Sequence, residues 1–187
     1  IIDEDEDVKL ADHVETSEVE EVNEMQQASL GENHEGVMMK SLDAEYKPGS
    51  RVGYMVKLKP VMETLDLAII GAQWSEGRKS GWLGRLKLGC WNEENQEYEM
   101  VGRMSSGLTD EQLEEVTERL KPLIKSEDGR DVDLRPEVLV EVEYEEIQES
   151  PTYNSGFALR FPRLKSFRDD KEKADSKEKL ENLYDSQ

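Results

Sequence analysis

Ser155-Gly156-Phe157-Ala158-Leu159-Arg160-Phe161-Pro162-Arg163-Leu164-Lys165-Ser166-Phe167-Arg168-Asp169-Asp170-Lys171 is a basic island in a strongly acidic chain. It holds five cations, Arg160, Arg163, Lys165, Arg168 and Lys171, against the two anions Asp169 and Asp170, and Phe157, Phe161 and Phe167 are spaced among them. Arginine presents a rigid fork of donors that matches phosphate oxygens, so clustered Arg and Lys with interleaved aromatics point to a phosphate or nucleic-acid site. A charge run is also the ordinary solvated face of an edge strand. The composition of the run leaves both readings open, and its wording decides between them.

Leu159-Arg160-Phe161-Pro162-Arg163 followed by Arg168-Asp169-Asp170-Lys171 resembles the last signature of the ATP-dependent DNA ligases, which lies on their OB-fold domain. Upstream, Glu35-Gly36-Val37-Met38-Met39-Lys40 resembles the fourth motif of that family and Lys57-Leu58-Lys59-Pro60 the fifth, in the family's order. The resemblance covers nearly the whole chain and is to the archaeal replicative type. It implies an α+β protein: residues 1–62 as the end of a nucleotidyltransferase (adenylation) domain, 63–172 as a mainly β OB-fold barrel, and 173–187 as a charged linker with a short helix.

Site residues follow from the same resemblance. Lys57 and Lys59 would hold the nucleotide α-phosphate, Arg51 would join them in the nucleotide site, and Glu35 would hold Mg2+ or another divalent cation. Arg168, Asp170 and Lys171 would orient the departing pyrophosphate. Independently of the resemblance, the glycine-bounded loop Ser75–Gly81 carries Arg78 and Lys79, which with Arg160 and Arg163 of the basic island are candidate DNA contacts. The residues alone agree in one respect: Lys57 and Lys59 are two apart on an alternating strand, so both ammonium groups face one side. A carboxylate such as Glu35 suits a hard cation that prefers oxygen.

Composition constrains how such a protein meets DNA. With 44 acidic and 24 basic residues the formal net charge is −20, so the molecule as a whole repels phosphate and any nucleic-acid contact is local. A hydrophobic fraction of 35% against 36% charged is polar for a globular chain, and a dense carboxylate surface is compatible with a salty cytoplasm. The single cysteine, Cys90, has no intramolecular partner and reads as a small buried hydrophobe of a reducing compartment. No apolar run is long enough to span a membrane. The expected setting is a cytoplasmic, nucleoid-associated monomer that binds nicked duplex DNA, with a sliding clamp as a further partner.

In order along the chain, Ile1–Leu10 reads as a short strand, and Ser17 with Glu20 forms a capping-box pattern opening a helix that Gly31 closes. Strands are expected around Val37–Met39 and over Arg51–Leu58, followed by Leu65–Ala72, Leu83–Trp91 and Glu97–Arg103. Thr109 caps a second helix whose inner face runs through Leu113, Val116 and Leu120 to Ile124. Val138–Tyr144 and Phe157–Leu164 complete five barrel strands, an order compatible with a Greek-key OB barrel. Lys59–Thr64 is the expected hinge, and the tail after Ser176 a closing helix.

The intact enzyme implied by the resemblance seals nicks in three steps during replication, repair and recombination. A lysine takes AMP from ATP, AMP passes to the 5′-phosphate of a nick, and the 3′-hydroxyl displaces it. The family's nucleophile motif, Lys-x-Asp-Gly, does not occur in these 187 residues, and the chain opens on Ile1-Ile2, so it is expected to be a fragment that does not adenylate itself. Two other classes remain as alternatives: a capping-type or RNA-ligase nucleotidyltransferase, and a non-catalytic OB module that binds nucleic acid or a clamp.

Overall fold

The computed structural model describes residues 10–187 apart from 33, 46, 50–52, 61 and 106. The chain forms two compact units, Ile1–Val61 and Met62–Gln187, and the boundary falls inside the segment expected as a hinge. The strand read over Ile1–Leu10 lies, but for Leu10, outside the described residues, as does Arg51.

The first unit consists of helix α1 (Val19–Gly31) and an antiparallel hairpin of β1 (Val37–Lys40) and β2 (Met55–Leu58), in which Met38 pairs with Lys57 and Val37 with Leu58. The expected capping box does not form. Glu18 is the N-cap and makes no side-chain cap bond, and Thr16 Oγ1 instead accepts from the Glu18 amide at 2.9 Å. Gly31 falls within the helix, with Glu32 as its C-cap, and none of the helix's residues is buried. Ser29 Oγ ties the helix to the hairpin by donating to the Gly36 carbonyl at 2.9 Å.

The second unit is built on β3 (Leu65–Trp74), an apolar run buried on both faces as a central strand must be. β4 (Leu83–Asn92) pairs along one edge of it and β5 (Glu97–Met104) pairs with β4. Helix α2 (Asp110–Leu120) follows, opened by the capping box that Thr109 forms with Gln112. Its Thr117 hydroxyl accepts from the Leu83 amide at 2.9 Å and donates to the Leu113 carbonyl, so the helix is pinned to β4.

Helix α2 stops at Leu120, short of the expected Ile124. Pro122, which has no N–H to donate, sits in a 3-10 turn over Lys121–Leu123, and Ile124 begins a strand instead. That strand, β6 (Ile124–Asp128), makes a hairpin with β7 (Asp131–Leu134) around Gly129, and β7 joins β3 at Gly71–Gln73.

The other half of the same β3 edge, Leu65–Ala68, pairs with β8 (Leu139–Glu143). The single strand expected over Phe157–Leu164 is two. β10 (Phe157–Arg160) pairs with β9 (Glu146–Glu149), and β11 (Arg163–Phe167) pairs with β8. Between them the chain turns a corner at Phe161, whose φ is +49°, and Pro162. The β9–β10 ribbon meets β5, where Ser155 Oγ donates to the Met100 carbonyl and the Met100 amide donates to Asn154. The sheet is thereby drawn round toward closure.

The core holds Leu65, Leu67, Ile69, Leu86, Leu88, Val101, Val140, Val142 and Ile147, all at most 1% exposed. Helix α3 (Lys177–Ser186) is part of it: Leu180 is fully buried, and Tyr184 packs on Phe157 with ring centroids 5.1 Å apart. Among the described residues no helix is long and apolar enough to cross a membrane.

If α3 closes this core, Leu180→Ala should lower the unfolding free energy of the second unit by about 2–5 kcal/mol, the cost of a cavity at a packed leucine. Chemical denaturation followed by tryptophan fluorescence measures it, and a loss below the error of the fit would mean that α3 is an appendage.

Candidate active site

The hairpin of the first unit carries one cluster. Gly36 enters β1 with φ at +121°, and a Cβ there would collide with the Leu58 carbonyl oxygen, so only glycine lets β1 approach β2 this closely. The approach sets Glu35 beside the end of β2, where its carboxylate meets Lys59 Nζ at 3.0 Å. Glu35, Lys57 and Lys59 line the same shallow depression, with Met38 and Leu58 in its wall. Three of the residues singled out by sequence are therefore neighbours. Among the described residues no three His, Cys, Asp or Glu side chains converge as a metal cage. Glu35 alone matches the mode in which Mg2+ is held by one or two carboxylates and completed by phosphate oxygens and water.

The second cluster is the turn after β11. Arg168 offers its Nε and one terminal nitrogen to Asp170, at 2.9 and 2.8 Å, and its other terminal nitrogen to Asp66 Oδ1 at 2.9 Å. Lys171 pairs with the second oxygen of Asp66. The hydrogen bonds from Arg168 hold the Asp170 carboxyl down to about 2, and Asp170 in turn, with Asp66 behind it, raises the guanidinium further above its ordinary value. Asp169 turns the other way. Arg119 of α2 grips both its oxygens, at 2.8 and 3.0 Å, while stacking on Phe167 with its guanidinium 4.1 Å from the ring centroid.

Asp66 and Arg119 carry no signal in the sequence run itself. Asp66 reads as one polar letter in an apolar strand and Arg119 as one charge on a helix surface; only the fold brings Asp66 to cations 102 and 105 positions later and Arg119 to a carboxylate 50 positions later.

Of the candidate DNA contacts, Arg78, Lys79 and Arg160 are ion-paired at the surface. Lys79 meets Asp110 at the start of α2 at 3.0 Å and Arg78 lies 3.8 Å from the same carboxylate. Arg160 bonds Glu146 at 2.9 Å, and Arg163 opens β11 opposite Glu143. Exposed pairs of this kind are each worth at most about 1 kcal/mol, so a phosphate can displace the carboxylate. Nearby, hydrogen bonds from Lys165, Thr64 and Ser166 push Glu141 down to about 2.

Against this geometry stand the comparisons with known proteins. The family model described as the ATP dependent DNA ligase C terminal region matches residues 79–171, and the one described as the ATP dependent DNA ligase domain matches residues 1–59. The DNA ligase of Methanocella arvoryzae is 50% identical over 174 residues, 92% of this chain and 31% of that protein. The DNA ligase of Thermococcus fumicolans is 46% identical over 98% of this chain and 33% of its own length. The chain thus spans about a third of the relatives it matches. Among solved structures, the ligase domain of M. tuberculosis LigD superposes with a TM-score of 0.51 at 27% identity, covering 79% of this chain and 48% of that one. Pmar-Lig_Pre reaches 0.61 at 26% identity, covering 80% and 30%.

The Asp170 assignment is open to direct titration. Because its folded pKa lies below the ordinary 3.8, the Arg168–Asp170 pair is fully formed above that value and is lost as pH falls through about 2. Carboxyl-carbon NMR should show this midpoint, and Arg168→Ala should return it to the ordinary range. An unmoved midpoint would mean that Arg168 is not the cause.

Proposed function

We propose a function from one premise: this chain belongs to the ATP-dependent DNA ligase family. It acts as the C-terminal part of an ATP-dependent DNA ligase that seals nicks in duplex DNA through lysyl-AMP and DNA-adenylate. The observation that carries the proposal is the hairpin that gathers Glu35, Lys57 and Lys59 around one depression. Residues 1–62 would close the nucleotidyltransferase domain, and residues 63–172 would form the OB domain, with α3 as its closing element.

Each step of nick sealing is an in-line attack at phosphorus, with negative charge building on non-bridging oxygens, so placed cations are the catalysts it needs. Lys57 and Lys59 bind and orient the α-phosphate, which stays with AMP, and Arg51 supports the same nucleotide. Glu35 would supply one carboxylate to a divalent cation, which would add Lewis-acid stabilisation of the phosphoryl oxygens. Arg168, Asp170 and Lys171 form the turn that orients the pyrophosphate while it departs. Arg78, Lys79 and Arg160 hold the DNA backbone by exchanging carboxylate partners for phosphates, and Arg163 contacts the same backbone. The relatives quoted above carry the name DNA ligase, which favours this reading over a capping-type or RNA-ligase one.

Two outcomes test the reading. The 187-residue chain, incubated with labelled ATP and magnesium, should take up no covalent label stable on a denaturing gel. In the full-length protein, Lys59→Ala should slow both self-adenylation and the sealing of a pre-adenylated nick. Lys171→Ala should slow only self-adenylation, because no pyrophosphate leaves in the sealing step. Each loss should be about a hundredfold, on the order of 3 kcal/mol for one charge-assisted contact to a transition-state phosphate. Both steps must be measured at one stated salt concentration, since both variants also weaken general attraction to DNA. Equal loss in the two steps for Lys171→Ala would make the basic turn a plain backbone contact.

A further inference from the structure

We infer that Asp66 is a positioning residue that sets the Arg168–Lys171 turn for pyrophosphate, an inference that rests on the reading of those two cations given above. Asp66 is the second residue of β3, and its backbone is held on both sides: its amide donates to Asp175 Oδ2 at 2.8 Å and its carbonyl accepts from the Asp175 amide at 2.7 Å. Its side chain is 7% exposed, and each oxygen has a different cation, Oδ1 taking Arg168 at 2.9 Å and Oδ2 taking Lys171. One carboxylate, fixed in a buried strand, therefore fixes the spacing of two cations that arrive from more than a hundred residues away.

The two carboxylates on Arg168 differ in kind. Asp66 is buried, and stripping a partner from a buried charge is costly, so this contact stays. The Asp170 side chain is 65% exposed and occupies the two-nitrogen edge of Arg168, the edge suited to a phosphate. An exposed pair is cheap to exchange. Asp170 thus holds the edge that an oxyanion takes, while Asp66 keeps Arg168 and Lys171 aimed during the exchange. With Asp170 turned away, two cations face one carboxylate and the turn carries one excess positive charge.

The test uses the full-length protein and the same two assays. Asp66→Asn keeps the shape of the side chain and removes its charge, so self-adenylation should fall by about tenfold or more, as for a lost hydrogen bond to a charged group, while sealing of the pre-adenylated nick stays within about twofold. Added to the Arg168→Ala/Lys171→Ala double variant, Asp66→Asn should cause no further loss, because the groups it positions are gone. An equal fall in both steps, or a full additional loss on the double variant, would overturn the inference and leave Asp66 as a structural residue.

Should Asp66→Asn lack a cooperative melting transition, Asp66→Glu carries the test. It keeps the charge but pushes both cations outward by a methylene, and the same selective loss is expected; unchanged self-adenylation would overturn the inference. The two readings fail separately. Lys171→Ala without step selectivity removes the pyrophosphate assignment and this inference with it, whereas a selective Lys171→Ala beside an unselective Asp66→Asn removes the inference alone.

Discussion

The second unit depends on how much one strand is asked to pair. β3 meets β4 along one edge, and its other edge is divided, Leu65–Ala68 going to β8 and Gly71–Gln73 to β7. The division falls at a shift in the β3–β4 register next to Gly71, where a Cβ would stand 2.9 Å from the Val132 carbonyl oxygen and 3.0 Å from the Lys87 stem. A side chain there would push β7 off. Because β3 is clasped on both edges and buried on both faces, its second residue, Asp66, is among the least movable charges in the protein, and the turn that carries Arg168 and Lys171 takes its position from it.

Charge is handled locally. In a chain of net charge −20 a cation left in the open would be lost in a carboxylate field, yet Lys59, Lys79, Arg160, Arg168 and Lys171 each have an identified carboxylate partner. The partners of the surface cations are exposed and weakly held, so under the proposed function these pairs would serve as reversible shields that a phosphate displaces. The acidic excess and a phosphate-binding function are compatible for that reason: selectivity comes from geometry at a few forks rather than from the mean field.

Much of this was legible beforehand. The apolar run of β3, the strand segments of β4 and β5, and the cap at Thr109 are local signals, and each produced its element because tertiary packing agreed with it. The i, i+2 spacing of Lys57 and Lys59 and the place of Glu35 just before Gly36 were enough to make them neighbours. What failed was decided by single backbone groups. Pro122 ended α2 early, and the corner at Phe161-Pro162 split one expected strand in two. Ser17 lost the N-cap because the helix began at Val19, after Thr16 had taken the Glu18 amide. Asp66 and Arg119 could not be found from sequence, since their meaning lies in partners fifty to a hundred and five residues away.

Cys90 lies fully buried on β4, next to the bridge between Trp91 and Ser176 that brings in α3. Burial, with Glu99 close by, pushes its thiol up to about 12, so the reactive thiolate is almost absent in the folded protein. Oxidative chemistry at this sulfur accordingly requires a local opening that exposes β4. Chemical ageing of the protein is thereby tied to its breathing: that opening, together with the oxidant concentration, sets how long a molecule keeps its one sulfhydryl intact.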